Sequence, residues 1–233
     1  MDLSAEVEGL WAALGDGSGR GARVIQLVAA RAGEGTSTVA RSLAAHAAVK
    51  LGLRVWMVDL DLAAAAQSRF FAGQTLKELQ LGSAQAGSPD KSAFFAVRPT
   101  IRMRQGGVRP DCDYLESRRI GNYRWWVTRF RSELLRGPQK VHVLGTADYW
   151  AALKPLCDVV IIDCQPSEKS QAAVTLSPFA DQTVLIVSGD QADVRPPAVL
   201  RNAILSAGGN CAGLFFNRAP IPAAHRSRRG TYG

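Results

Sequence analysis

The stretch Val24-Ile-Gln-Leu-Val-Ala-Ala-Arg-Ala-Gly-Glu-Gly-Thr-Ser-Thr-Val-Ala-Arg-Ser-Leu-Ala44 constrains the chain most. An apolar run of strand character passes through a glycine-bearing loop into an alanine-rich run of helical character. That order suits a phosphate-binding loop, in which the first N–H groups of a helix gather around an anion. Gly33 and Gly35 permit the tight turns such a loop needs, and Ser37 stands where the motif carries its Mg2+-ligating hydroxyl. The position after Gly35, where the motif carries lysine, is Thr36. A glycine turn between strand and helix can also serve packing alone, so the rest of the chain must decide.

Near-continuous Val/Ile/Leu runs recur at Arg23–Ala29, 54–59, 141–144, 158–163, 182–188 and 211–216. Between them, helical patterns are expected at 3–15, 37–51, 63–71, 147–156, 167–177 and 196–207, with Gly52 and Gly208 placed to stop two of them. Alternating β and α units with apolar strands predict an α/β fold: a mostly parallel sheet with helices on both faces. The pattern loosens at 82–138. There we expect a loop at 82–92, one or two strands at 93–104 interrupted by Pro99, irregular chain at 105–119, and a basic, aromatic helix at 120–136. The expected organisation is an N-terminal helix and linker at 1–21, one domain at 22–219 with a divergent basic elaboration at 82–138, and a basic disordered tail at 220–233.

Hydrophobic residues make up 47% of the 233, which provides for a core and argues against global disorder. No apolar run reaches the roughly 20 residues that span a bilayer. The opening Met1-Asp-Leu-Ser-Ala-Glu-Val-Glu lacks the layout of a secretion signal, so a cytoplasmic location is expected. Cys112, Cys157, Cys164 and Cys211 form no CxxC pair and read as small buried residues rather than zinc ligands. Nearly all of the net charge of +8 sits between Arg98 and Lys140, where ten arginines and one lysine face four acids. That localisation bears on partners rather than on fold.

Two of the expected strands end in acids, within Val58-Asp-Leu-Asp-Leu62 and Val160-Ile-Ile-Asp-Cys-Gln-Pro166. In a parallel sheet, carboxylates at the C-terminal ends of strands gather at the edge where ligands bind. Together with Gly33-Glu-Gly-Thr-Ser-Thr38, these runs resemble the deviant Walker A P-loop ATPases. That superfamily includes chromosome-partition and division-site ATPases and the bacterial tyrosine kinase (BY-kinase) domains of polysaccharide export. The loop is most similar to the Gly-Glu-Gly-Lys-Ser-Thr of the kinases, and Phe215-Phe-Asn217 falls where the superfamily ends a strand in a base-reading asparagine. The resemblance covers roughly 23–72 and 141–218.

The resemblance implies a P-loop NTPase type of fold and ATP or ADP with Mg2+ as cofactor. Gly33, Glu34, Gly35, Thr36, Ser37, Thr38 and Asn217 would hold the nucleotide, and Ser37, Asp59 and Asp163 the metal. Asp59 and Asp61 would activate the nucleophile, and Arg31 stands where the deviant loop has its extra lysine. Three departures limit the carry-over. Thr36 brings no charge to the β- and γ-phosphates; losing a charge-assisted hydrogen bond costs about 1.5–3 kcal/mol, and losing a donor at transition-state charge about 10²–10³ in rate. A single Tyr232 replaces the kinases' tyrosine cluster. The first helix lacks a Glu-x-x-Arg-x-x-Arg oligomerisation motif.

The leading expectation is a cytoplasmic regulator of exopolysaccharide synthesis or export that binds nucleotide weakly, transfers phosphoryl poorly, and meets the membrane through an anchored chain-length or export protein. A homodimer or higher oligomer is a second expected partner. An active ATPase or tyrosine autokinase using Arg31 is the first alternative. A partition-type ATPase on nucleic acid ranks last.

Overall fold

The computed structural model describes residues 3–15, 21–103, 106–190 and 193–218; the expected linker core, the tail and Tyr232 lie outside them. An eight-stranded sheet forms the centre. Its strands are β1 (Arg23–Ala29), β2 (Val55–Asp59), β3 (Leu81–Ala86), β5 (Leu115–Ile120), β6 (Trp125–Phe130), β8 (Val159–Asp163), β9 (Gln182–Ser188) and β10 (Cys211–Asn217). The order across the sheet is β10-β9-β1-β8-β2-β6-β5-β3. Pairings from β10 to β6 are parallel, and those of β6 with β5 and β5 with β3 antiparallel. Two shorter strands, β4 (Phe95–Arg98) and β7 (Lys140–Val143), pair antiparallel as a separate ribbon.

Because side chains alternate across a strand, the same strands feed two cores. Ile25, Leu27, Met57, Ile161 and Val184 face α1 (Ser4–Leu14), α2 (Thr36–Ala45) and α3 (Ala66–Ala72), meeting Val7, Leu43 and Phe71. Val24, Val28, Val58, Val160 and Ile162 face α4 (Asp148–Leu153), α5 (Ala172–Leu176) and α6 (Arg195–Ser206), meeting Trp150, Leu176 and Ile204. This is the expected α/β fold, a mostly parallel sheet with both faces covered.

Three expectations in the middle of the chain are corrected. Residues 81–86 form edge strand β3 rather than lying in a loop, and 115–120 form a strand rather than irregular chain. The expected basic helix at 120–136 is instead a turn at Gly121, strand β6 paired antiparallel with β5, and a short 3-10 turn at Ser132–Leu134. The run Trp125-Trp-Val-Thr-Arg-Phe130 is aromatic and β-branched, which favours strands. β6 lies between β2 and β5, so it buries side chains on both faces, and the one-sided apolar pattern of a surface helix was never its signature. Trp125 meets Phe71 edge-on at 5.0 Å, while Trp126 stacks on Trp56 at 5.9 Å on the opposite face. Trp56 Nε1 donates to Thr128 Oγ1 at 2.7 Å. Thus much of 82–138 is sheet, not an appendage. At the turn, Gly121 has φ 47°, and a Cβ there would lie 2.1 Å from the Glu78 carbonyl oxygen.

If the central strands carry the stability, Ile161→Ala should cost about 2–5 kcal/mol in urea unfolding. Leu214→Ala, on edge strand β10 and 51% exposed, should cost no more than about 0.5 kcal/mol. Equal costs would contradict this placement of the core.

Candidate functional site

The loop from Arg31 to Thr38 leaves β1 and enters α2 at the C-terminal end of the parallel strands. Gly33 and Gly35 have φ of 84° and 90°, and the N–H groups of Thr38 and Val39 donate to the Gly35 carbonyl at 3.0 Å to open the helix. The whole loop, with Asp61, Asp163, Gln165 and Arg218, lines a cavity of about 280 Å³. The sheet therefore brings Gly33, Glu34, Gly35, Thr36, Ser37, Thr38, Asp61, Asp163 and Arg31 to one place, as the motif order implies.

Asn217 lies behind the loop rather than in the cavity. Its Nδ2 donates to the Glu34 carbonyl at 2.9 Å, its side chain is buried, and a Cβ on Gly35 would lie 2.1 Å from that nitrogen. It braces the turn from the end of β10. The Glu34 carboxylate also supports the loop, accepting the Arg31 N–H at 2.9 Å. Across the cavity edge, the chain after β8 is stitched to β1 through Ser167 N–H to Ala29 O, 2.9 Å. This brings Glu168 Oε1 to the Ala32 N–H at 2.7 Å. Two carboxylates are thus bonded to the loop's own backbone.

Asp59 and Asp163 end adjacent strands and are paired in register. Both are almost fully buried. Burial, reinforced by the Asp163 charge, pushes the Asp59 carboxyl up to about 7, although N–H groups of Gln67 and Asp61 favour its ionised form. Burial also pushes Asp163 up to about 6, opposed by Gln67, the Ser37 hydroxyl and the Arg41 guanidinium. Gln67, missed at the sequence level, joins these groups. Its N–H donates to Asp59 Oδ2 at 2.8 Å, its Nε2 to Ser37 O at 2.8 Å and Asp163 Oδ2 at 2.7 Å. Its Oε1 accepts from Arg41 Nε at 2.9 Å. A glutamine within an alanine-rich helix carries no sequence signal of this; only the docking of α3 reveals it. Glu168 and Gln165, whose Nε2 donates to Asp61 Oδ1 at 2.8 Å, were also missed; they follow β8, and only the packing of that segment against β1 and the loop shows what they reach.

The metal expectation fits part of this set. Asp163 lines the cavity, and its buried Oδ1 accepts no hydrogen bond of normal geometry, although the Ser37 hydroxyl lies near enough to favour the charged carboxylate. Ser37 lines the same cavity. Mg2+ commonly uses one or two carboxylates and keeps its waters, so Ser37 and Asp163 suit it. Asp59 does not border the cavity: its oxygens accept the N–H groups of Asp61, at 3.0 Å, and Gln67. Arg31 Nη2 pairs with Asp193 at 2.9 Å, both side chains about one third exposed.

No family model matches the chain, and no curated protein matches it. Solved structures do. The chimerical protein CapA2B2 aligns at TM-score 0.64 and 18% identity, over 95% of this chain and 87% of its own. The kinase domain of Escherichia coli tyrosine kinase ETK aligns at 0.55 and 15%, over 97% and 78%. The septum site-determining protein MinD of Pyrococcus horikoshii, complexed with Mg-ADP, aligns at 0.54 and 16%, over 83% and 69%. At these identities the likeness establishes the fold alone, an α/β fold of P-loop NTPase type.

Gly35→Ala should destabilise the chain by more than about 1 kcal/mol, from positive φ and collision with Asn217. In an Asn217→Ala background the added cost should shrink; a strictly additive double variant in urea unfolding would refute the brace. The raised carboxylates give a second expectation. Unfolded aspartates titrate near 4, so between about pH 4 and 7 the folded chain holds more protons than the unfolded one, and stability falls as pH rises through that window. Asp59→Asn should flatten the decline in a series of thermal midpoints; a parallel pair of curves would contradict the raised value.

Proposed function

We propose that this protein is a nucleotide-binding-like regulator of exopolysaccharide synthesis or export, weak in phosphoryl transfer and docked on a membrane-anchored partner. The observation that carries the proposal is a formed loop cavity opposite Asp61 and Asp163, with Thr36 in the lysine position. The loop, the strand-end acids and the likeness to kinase domains support the polysaccharide branch. Val194 and Val199, 74% and 68% exposed on and beside the first turn of α6, leave apolar surface near the loop for a partner or second copy.

In this reading the first turn of α2 receives the phosphates, its N–H groups and dipole favouring negative charge. Ser37 and Asp163 would hold Mg2+, which when bound supplies charge neutralisation on the β- and γ-phosphates. Asp61, at the cavity edge, positions water or a hydroxyl nucleophile; Asp59 acts behind it by holding the Asp61 and Gln67 N–H groups. Thr36 contributes only a short side chain, 8% exposed, so binding outlasts transfer.

A second reading, an active ATPase or autokinase, rests on Arg31, which borders the cavity. Its exposed pair with Asp193 is worth about 0.2–1 kcal/mol, too little to hold the guanidinium away from a bound polyphosphate.

Calorimetry with Mg-ATP and Mg-ADP tests both. Weak binding is expected in the wild type, strengthened by Thr36→Lys about 10- to 150-fold, the inverse of a lost charge-assisted bond. Absence of binding in both proteins would refute the nucleotide reading, and wild-type turnover abolished by Arg31→Ala would favour the active enzyme.

A further inference from the structure

The basic charge between Arg98 and Lys140 lies outside the loop cavity, and part of it is internally neutralised. Arg118, Arg129 and Arg131 converge on the Glu116 carboxylate, with Nε–oxygen distances of 2.6, 3.5 and 3.7 Å. Arg129 and Arg131 also meet Glu133, and Arg98 meets Asp111 at 3.3 Å. These arginines hold the β5–β6 region together.

Arg102, Arg109 and Arg136 differ. They line one shallow groove with Met103, and among the described residues none has an acidic partner. The groove is bordered by two antiparallel stretches in which Arg102 bridges Val108 and the Met103 N–H donates to Gly107 O at 3.0 Å. Met103 is 39% exposed and Val108 44%. From Pro99 to Pro110 the sequence contains no Asp or Glu. Aliphatic side chains stand out where arginines without an acidic partner flank them, Arg109 lying over the Tyr114 ring at 5.6 Å.

We propose that this groove and the two stretches bordering it bind an anionic lipid bilayer directly. Arginines near such a surface meet headgroup phosphates, while neighbouring apolar side chains enter the headgroup–acyl boundary. The apolar pair favours lipid over nucleic acid, whose bases stack on exposed aromatic rings. Here, among the described residues, no aromatic ring is exposed for stacking: Tyr114 lines the floor of the groove but is only 3% exposed, stacked on Phe130 at 5.6 Å beneath Arg109, Trp125 is buried, and Trp126 packs on Trp56. The surface lies outside the nucleotide cavity, and the proposal stands or falls independently of nucleotide binding.

The test is co-sedimentation of the full chain with vesicles of phosphatidylcholine alone or mixed with phosphatidylglycerol, at low and high salt. Binding is expected to the mixed vesicles only and to weaken with salt. Each of Arg102→Gln, Arg109→Gln and Arg136→Gln should lower partition about five-fold, and the pair Met103→Ser and Val108→Ser at least about five-fold. Thermal midpoints confirm that each variant folds; should the serine pair misfold, the Met103→Ser single variant replaces it. Failure to bind mixed vesicles, or binding indifferent to the serine substitutions, overturns the proposal. So does duplex DNA that displaces the vesicles and depends on the same arginines, which would make the groove a nucleic-acid surface.

Discussion

Two carboxylates sit side by side at the ends of β2 and β8, nearly sealed from water, and much of the surrounding structure satisfies them. Asp59 and Asp163 repel each other when ionised, and burial makes each charge costlier. Gln67 relieves both, because one side chain and one backbone N–H reach Asp59, Asp163, Ser37 and Arg41. The same bonds tie α3 to the sheet and to the start of α2. A disturbance at any of the four partners is therefore felt at the loop, since a partly satisfied buried polar network costs more than its single lost bond.

On the proposed function, the loop's electrostatics would separate binding from transfer. Its geometry is complete: glycines with positive φ, an opened helix, a cavity and an orphaned carboxylate oxygen. Its charge is not. Glu34 and Glu168 already accept N–H groups of the loop's first residues, and the nearby cations occupy its margins: Arg31 paired with Asp193, Arg41 beneath the acids, Arg218 at the rim. Orientation can persist under those conditions, whereas stabilising charge that develops during transfer needs a cation aimed at it.

Strands with a continuous apolar signal were legible because burial on both faces demands Val, Ile and Leu at every position, as in Val159–Asp163 and Gln182–Ser188. The middle of the chain was not. β6 is also interior to the sheet, but its one arginine and two tryptophans hide that fact, since Arg129 is neutralised by Glu116 on β5 and Glu133 just after β6. β3 was unreadable because an exposed edge of Gly, Ser, Ala and Gln has little composition to distinguish it from a loop. At the site, the expectation for Asn217 named the right neighbourhood. The structure shows the side chain bracing Glu34.

The sequence by itself determined the alternating α/β architecture, the strand–loop–helix of the phosphate loop, and the gathering of strand-end acids at one edge. These follow from local periodicity and from the geometry of parallel sheets. Tertiary structure alone decided that Gln67 links the acids, that Asp59 stands behind Asp61, and that the basic segment divides into partly exposed ion pairs and an open groove. Those outcomes depend on which side chains meet across elements far apart in the chain, and no local pattern encodes such a meeting.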